Sequence, residues 1–120
     1  MIIKLPKFDT GQYESCDFLM RGNQAQLVIK FSEIPNFIIN FDRVRWHQFT
    51  ALPNCTVEMI RDSYSKLIEV DNSLELKQFL VQDRSIRKAY SNLRHYRIFL
   101  DETGCHEVFA QLAFIDDGLI

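Results

Sequence analysis

Glycine is scarce in this chain, with four in 120 residues, and the four (Gly11, Gly22, Gly104 and Gly118) are far apart. Neither a G-x-G-x-x-G loop nor a Walker-type loop can be written, which removes the usual nucleotide-dependent reaction classes. The three cysteines, Cys16, Cys55 and Cys105, form no C-x-x-C pair. A zinc knuckle and a thioredoxin-like site are therefore not expected, and free thiols in a reducing compartment are. Long apolar runs are missing too. Phe37-Ile38-Ile39 is cut by Asn40, and Leu112 to Ile115 stops at Asp116. Neither approaches the ~20 residues of a membrane span. The first residues, Met1-Ile2-Ile3-Lys4-Leu5-Pro6-Lys7, lack the basic and apolar regions of a secretory signal, so a cytoplasmic protein is expected. Charge of one sign is not in excess. The formal net charge is −2, which argues for neither a nucleic-acid binder nor a membrane-surface binder.

What is present is an ordinary globular composition, 47% hydrophobic and 25% charged, which excludes intrinsic disorder and low-complexity classes. The length suits one domain over residues 1–120, with enough chain to bury a core without staples.

Three zones follow one another. The first reads as strand. Ala25 to Phe31 is rich in branched and aromatic residues, Ser32 to Asn36 reads as a turn, and Phe37 to Phe41 alternates in part. Arg43 to Phe49 alternates strictly, with Val44, Trp46 and Gln48 on one face and Arg45, His47 and Phe49 on the other. Residues 8–24 read as a loop with an edge strand around Asp17 to Met20. The second zone, roughly 54–93, reads as helix. Asn54 is the expected N-cap of a first helix whose apolar stripe is Val57, Ile60, Tyr64, Leu67 and Ile68. Ser73 can cap a second helix, and a third short piece is expected from Arg84 to Leu93. The third zone is the clearest. Two strands flank Asp101-Glu102-Thr103-Gly104, a connection that suits a hairpin with Gly104 at positive φ. Tyr96, Ile98 and Leu100 share one face, as do Val108, Ala110, Leu112 and Phe114, and both sets are expected to cover the helices. The layout predicts an α+β fold: an antiparallel sheet of about five or six strands, two or three helices on one face, and a C-terminal β-hairpin.

Chemistry is sparse. His47, His95 and His106 show neither H-x-x-x-H nor H-E-x-x-H spacing, so no metal or other cofactor is expected. Cys105 and His106 are neighbours on a strand and point to opposite faces, which does not make a thiolate–imidazole pair. No catalytic residue is therefore assigned. The charge distribution says more. Residues 84–97 carry Arg84, Arg87, Lys88, Arg94 and Arg97 without an acid, with Tyr90 and Tyr96 among them. Residues 101–120 carry Asp101, Glu102, Glu107, Asp116 and Asp117 without a lysine or arginine. The acidic region suits a basic partner. The basic segment suits nucleic acid with tyrosine stacking, and both also read as solvated faces. Tyr13, Phe49 and Phe99 are the aromatics best placed for the surface, as interface anchors.

Two stretches carry a family resemblance. One is Arg45-Trp46-His47-Gln48-Phe49 before a Pro-Asn helix start. The other runs from Leu93-Arg94-His95-Tyr96-Arg97-Ile98-Phe99-Leu100 through Asp101-Glu102-Thr103-Gly104-Cys105 to His106-Glu107-Val108-Phe109-Ala110. With the short α+β layout, they resemble small bacterial immunity proteins of contact-dependent growth inhibition and related polymorphic toxin systems, over roughly residues 43–115. The resemblance implies a cytoplasmic, non-enzymatic inhibitor. It would bind the C-terminal toxin domain delivered by a sibling cell, often a nuclease, and block its active site. Its partner would be a protein, not a membrane, a nucleic acid or a small-molecule substrate. Charge and exposure, and not the resemblance, nominate the contact residues: Asp101, Glu102, Glu107, Asp116 and Asp117, with Phe99 and Tyr13 as anchors. Two alternatives stay open: a nucleic-acid-binding accessory protein using segment 84–97, and a small enzyme dependent on Cys105.

Overall fold

The computed structural model describes residues 2–9, 11–82 and 92–116. Strands Ile2–Lys4 (β1), Tyr13–Arg21 (β2), Gln24–Phe31 (β3), Phe37–Asp42 (β4) and Trp46–Ala51 (β5) come first. A 3₁₀ turn, Leu52–Asn54, leads to helix Val57–Ser63 (α1), strand Lys66–Glu69 (β6) and helix Leu74–Gln82 (α2). Strands Arg94–Leu100 (β7), Gly104–Ala110 (β8) and Leu112–Ile115 (β9) complete the order. The fold is α+β, with two antiparallel sheets: a five-stranded sheet in the order β1-β6-β7-β8-β5 and a four-stranded sheet in the order β2-β3-β4-β9.

Alternation explains how the sheets face each other. Ala25, Leu27, Ile29 and Phe31 of β3 and Ile39 and Phe41 of β4 turn one side of the small sheet inward. Leu67, Tyr96, Ile98, Leu100, Val108 and Ala110 answer from the large sheet, and one buried cluster joins both sets. Each of the larger aliphatic side chains contributes roughly 1.5–3 kcal/mol when taken from water. Tyr96, Ile98, Leu100, Val108 and Ala110 thus cover a second sheet and not the helices. The helices lie on the other face of the large sheet, where Phe79 of α2 meets Phe109 edge-on at 5.2 Å. An inward face backed by a complete second sheet leaves the helices only the far side.

Three further expectations are corrected. The stripe through Leu67 and Ile68 belongs to a strand, because Ser65 takes a positive φ of 53° and ends the helical run. Lys66–Glu69 then pairs with β1 and β7. The cap of α1 is Thr56 and not Asn54: its Oγ1 accepts the Met59 amide at 3.2 Å, while Asn54 lies in the 3₁₀ turn. Ser73 does cap α2, accepting the Leu76 amide at 3.0 Å. The last strand is also not one strand. It breaks at Gln111, whose amide donates to the Asp42 carbonyl at 3.1 Å, and Leu112–Ile115 continues in the other sheet. Inside–outside parity flips there. Ala113 is buried, whereas Leu112 and Phe114 are exposed. The β4–β5 connection turns the same corner, with Arg43 at φ 57° and the Arg45 amide on the Phe109 carbonyl at 2.9 Å. A bent two-stranded ribbon, β4–β5 beside β8–β9, therefore joins the two sheets along one side. The expected helix from Arg84 to Leu93 falls mostly on residues outside those described.

The hairpin turn behaves as its glycine requires. Gly104 has a φ of 145°, and a Cβ there would sit inside the van der Waals shell of the Thr50 carbonyl oxygen on β5. Gly22, in the β2–β3 turn at φ 63°, has open space around it. Gly104→Ala is expected to lower the unfolding free energy by roughly 3 kcal/mol or more. Gly22→Ala is expected to cost about 1–2 kcal/mol from backbone strain alone. Chemical denaturation of both variants checks the ranking.

Candidate functional site

The β7–β8 turn carries the acidic pair. Asp101 and Glu102 are both exposed, and Glu102 takes a φ of 62°. The turn is fixed from three sides. The Thr103 amide donates to the Leu100 carbonyl at 3.1 Å, and the Leu52 amide to the Thr103 carbonyl at 3.2 Å. The Thr103 hydroxyl donates to the Tyr13 hydroxyl oxygen at 2.8 Å, which ties β2 of one sheet to the hairpin of the other. Tyr64, just after α1, packs on Phe99 with ring centroids 5.6 Å apart and hydrogen-bonds to Asp101, which together with burial raises its phenol pKa. Tyr13, Tyr64, Asp101 and Glu102 line a shallow cavity of about 290 Å³, together with Lys7 and Phe8. The arrangement offers two carboxylates at a rigid rim and two phenols beside them, suited to a cationic, hydrogen-bond-donating surface.

Three of the residues nominated from sequence, Asp101, Glu102 and Tyr13, thus come together. The rest do not join them. Phe99 is 2% exposed, so it is packing and not a surface anchor. The alternation that put it beside Arg97 and Asp101 is real, but α1 packs over that face. Glu107 is likewise withdrawn as a contact, since it is 5% exposed. Asp116 is exposed just beyond β9, the edge strand at the far side of the small sheet from β2, which carries Tyr13. Asp117 lies outside the described residues. Phe49, a further surface candidate, is exposed. Tyr64 is the site residue that sequence reasoning missed, because it sat within an apolar helical stripe that the fold does not continue.

Glu107 has a different role. Its Oε2 is 2.7 Å from His95 Nε2, and it accepts from Arg97 Nε at 3.1 Å. Arg97 Nη2 lies 3.1 Å from the same oxygen. Burial pushes the Glu107 carboxyl up, but the His95 hydrogen bond and the Arg97 charge outweigh it and hold the group below its ordinary value. On its other side, His95 Nδ1 is 2.6 Å from Ser73 Oγ. The chain Ser73–His95–Glu107 has the connectivity of a hydrolytic triad. Its serine is placed otherwise: Ser73 is 6% exposed and its oxygen accepts the Leu76 amide as a helix cap. A groove of about 350 Å³ opens above Arg97 and Glu107, between Trp46, Met59 and Phe79, and Ser73 does not line it. The network bolts α2 to the sheet.

Among the described residues, no group of three or more His, Cys, Asp or Glu side chains is arranged to hold a metal ion, and no helix is long and apolar enough to cross a membrane. Burial pushes the Cys105 thiol up to about 12, so it stays protonated at neutral pH.

Glu107→Ala leaves Arg97 uncompensated in a buried site and is expected to cost about 3–5 kcal/mol. Because the folded carboxyl titrates below its unfolded value, its contribution is present above the ordinary carboxylate pKa and is lost as pH falls through the folded one. Glu107→Gln is therefore expected to flatten the fall in stability below about pH 4.5, seen in urea midpoints measured from pH 3 to 7. No protein-family model, curated protein or solved structure matches this chain.

Proposed function

We propose that this chain is an immunity-type inhibitor, a cytoplasmic protein that binds a toxin domain, with a nuclease as the expected target, and blocks its active site. The supporting observation is the rigid acidic turn: Asp101 and Glu102 stand exposed beside Tyr13 and Tyr64 at one concave rim. A nuclease binds phosphate through basic side chains, and a pair of fixed carboxylates competes for the same groups. Rim charges of this kind speed association and select the partner, while the tyrosines supply contact area at small entropic cost.

The two alternatives have less to draw on. For a nucleic-acid binder, Arg97 is engaged with Glu107, and Arg94 Nη1 lies 4.0 Å from Glu69 Oε1. Arg84, Arg87 and Lys88 lie outside the described residues. For a cysteine enzyme, Cys105 is buried and its thiol is held protonated.

The test is titration calorimetry of the full chain against the toxin-domain product of the neighbouring upstream gene. A 1:1 complex is expected, with affinity falling at least tenfold (about 1.4 kcal/mol) in Asp101→Lys/Glu102→Lys and falling with added salt in the wild type. A complex indifferent to both reversals sinks the assignment of the face. Absence of a complex, with substrate turnover by the chain alone, sinks the function.

A further inference from the structure

The two sheets are joined by continuous chain on the ribbon side. On another side, edge strand β2 of the small sheet meets edge strand β5 of the large one through aromatic contact. Phe18 of β2 lies flat on His47 of β5, with centroids 3.7 Å apart and planes 6° from parallel. His47 Nε2 is in turn 3.0 Å from His106 Nδ1 on β8. The two imidazoles are 20° from parallel, and Phe49 leans on His106 at 4.8 Å. Two ring nitrogens at that distance need one proton between them, one ring donating and the other accepting. A first added proton is accommodated at the far nitrogen of the donor ring. A second must go onto the accepting nitrogen, which aims two N–H groups at each other and puts two cations side by side.

Among the described residues, nothing packed around the pair compensates a second charge. From β2 come Phe18 and Cys16, whose thiol burial pushes up to about 12 and so keeps neutral. In register, Leu27 of β3 lies across from Phe18, Ile98 of β7 across from His106 and Val108 of β8 across from His47, all apolar and buried. Asp17 points to the outer face of the small sheet and pairs with Lys30 at 3.0 Å. Glu107 follows His106 in the chain but points to the helix side and is held by His95 and Arg97. Arg45, two residues before His47, is itself a cation and adds nothing that would hold a second positive charge.

We propose that His47 and His106 form an acid-sensitive clasp between the sheets: when both rings carry a proton, their hydrogen bond is lost, Phe18 leaves His47, and the β2 edge separates from β5. Burial already lowers the pKa of both rings, that of His106 to about 4, with the His47 charge adding to it. An unfolded or opened chain takes up these protons at the ordinary histidine value, near 6.5. The clasp is therefore closed above that pH and weakens as pH falls from there towards about 4.

The test is NMR on the full chain from pH 8 to 3.5, following the ring nitrogens of His47 and His106 and the Phe18–His47 ring contacts. The expected result is that both histidines titrate below 6.5, His106 the further of the two, and that the ring contacts vanish as His106 titrates. His47→Phe keeps a flat ring against Phe18 and removes one of the two charges. It is expected to move the opening downward by about one pH unit. Titration of both histidines near 6.5, ring contacts that persist at pH 3.5, or an unshifted opening in His47→Phe would overturn the proposal. Should His47→Phe fail to fold, the wild-type titration decides alone.

Discussion

Every residue of β8 from Gly104 to Ala110 is buried, and this constraint organises the molecule. A strand covered on both faces needs two layers against it. The four-stranded sheet is one, and α1, the 3₁₀ turn and α2 are the other. The polar groups that β8 carries inward must then find partners. Glu107 finds His95 and Arg97 on the helix side, and His106 finds His47 on the sheet side. Gly104 lets the β8 backbone come against Thr50 where any side chain would obstruct it. One strand thereby sets the position of the helices, the contact between the sheets and the geometry of the acidic turn.

That turn sits where both layers end. Its conformation is determined less by its own residues than by Thr103, which reaches Tyr13 in the opposite sheet and accepts from Leu52 after β5. A charged loop held this way has little conformational entropy left to lose, so its carboxylates are fixed in place. The buried Glu107 illustrates the contrast. It bears the same charge and lies three residues beyond Gly104, yet its interaction is spent within the fold. Acidic residues in one stretch of sequence thus divide into a surface pair and a structural member.

Much of the architecture was legible in the residues themselves. The strand from Ala25 to Phe31, the hairpin around Gly104 and the capping serine of α2 each follow from local rules of composition, turn and cap. The exposure of Asp101 and Glu102 was legible for the same reason: a turn between two strands exposes its side chains. Phe99 and Glu107 were not, because alternation separates two faces without saying whether the second is wet. Leu67 and Ile68 misled because short apolar spacing fits a helix until a positive φ at Ser65 ends it and β1 and β7 supply partners.

The sequence by itself determined periodicity, turns and caps, since these depend on neighbours a few residues away and on the backbone freedom of single residues. Tertiary structure alone decided what each face meets. The bend at Gln111 that passes the chain from one sheet to the other, Tyr64 beside Asp101, and the meeting of His47 with His106 across 59 residues all require contacts between distant segments. Those contacts form because burying two sheets against each other outweighs local preference, and no local pattern encodes which partners that burial will select.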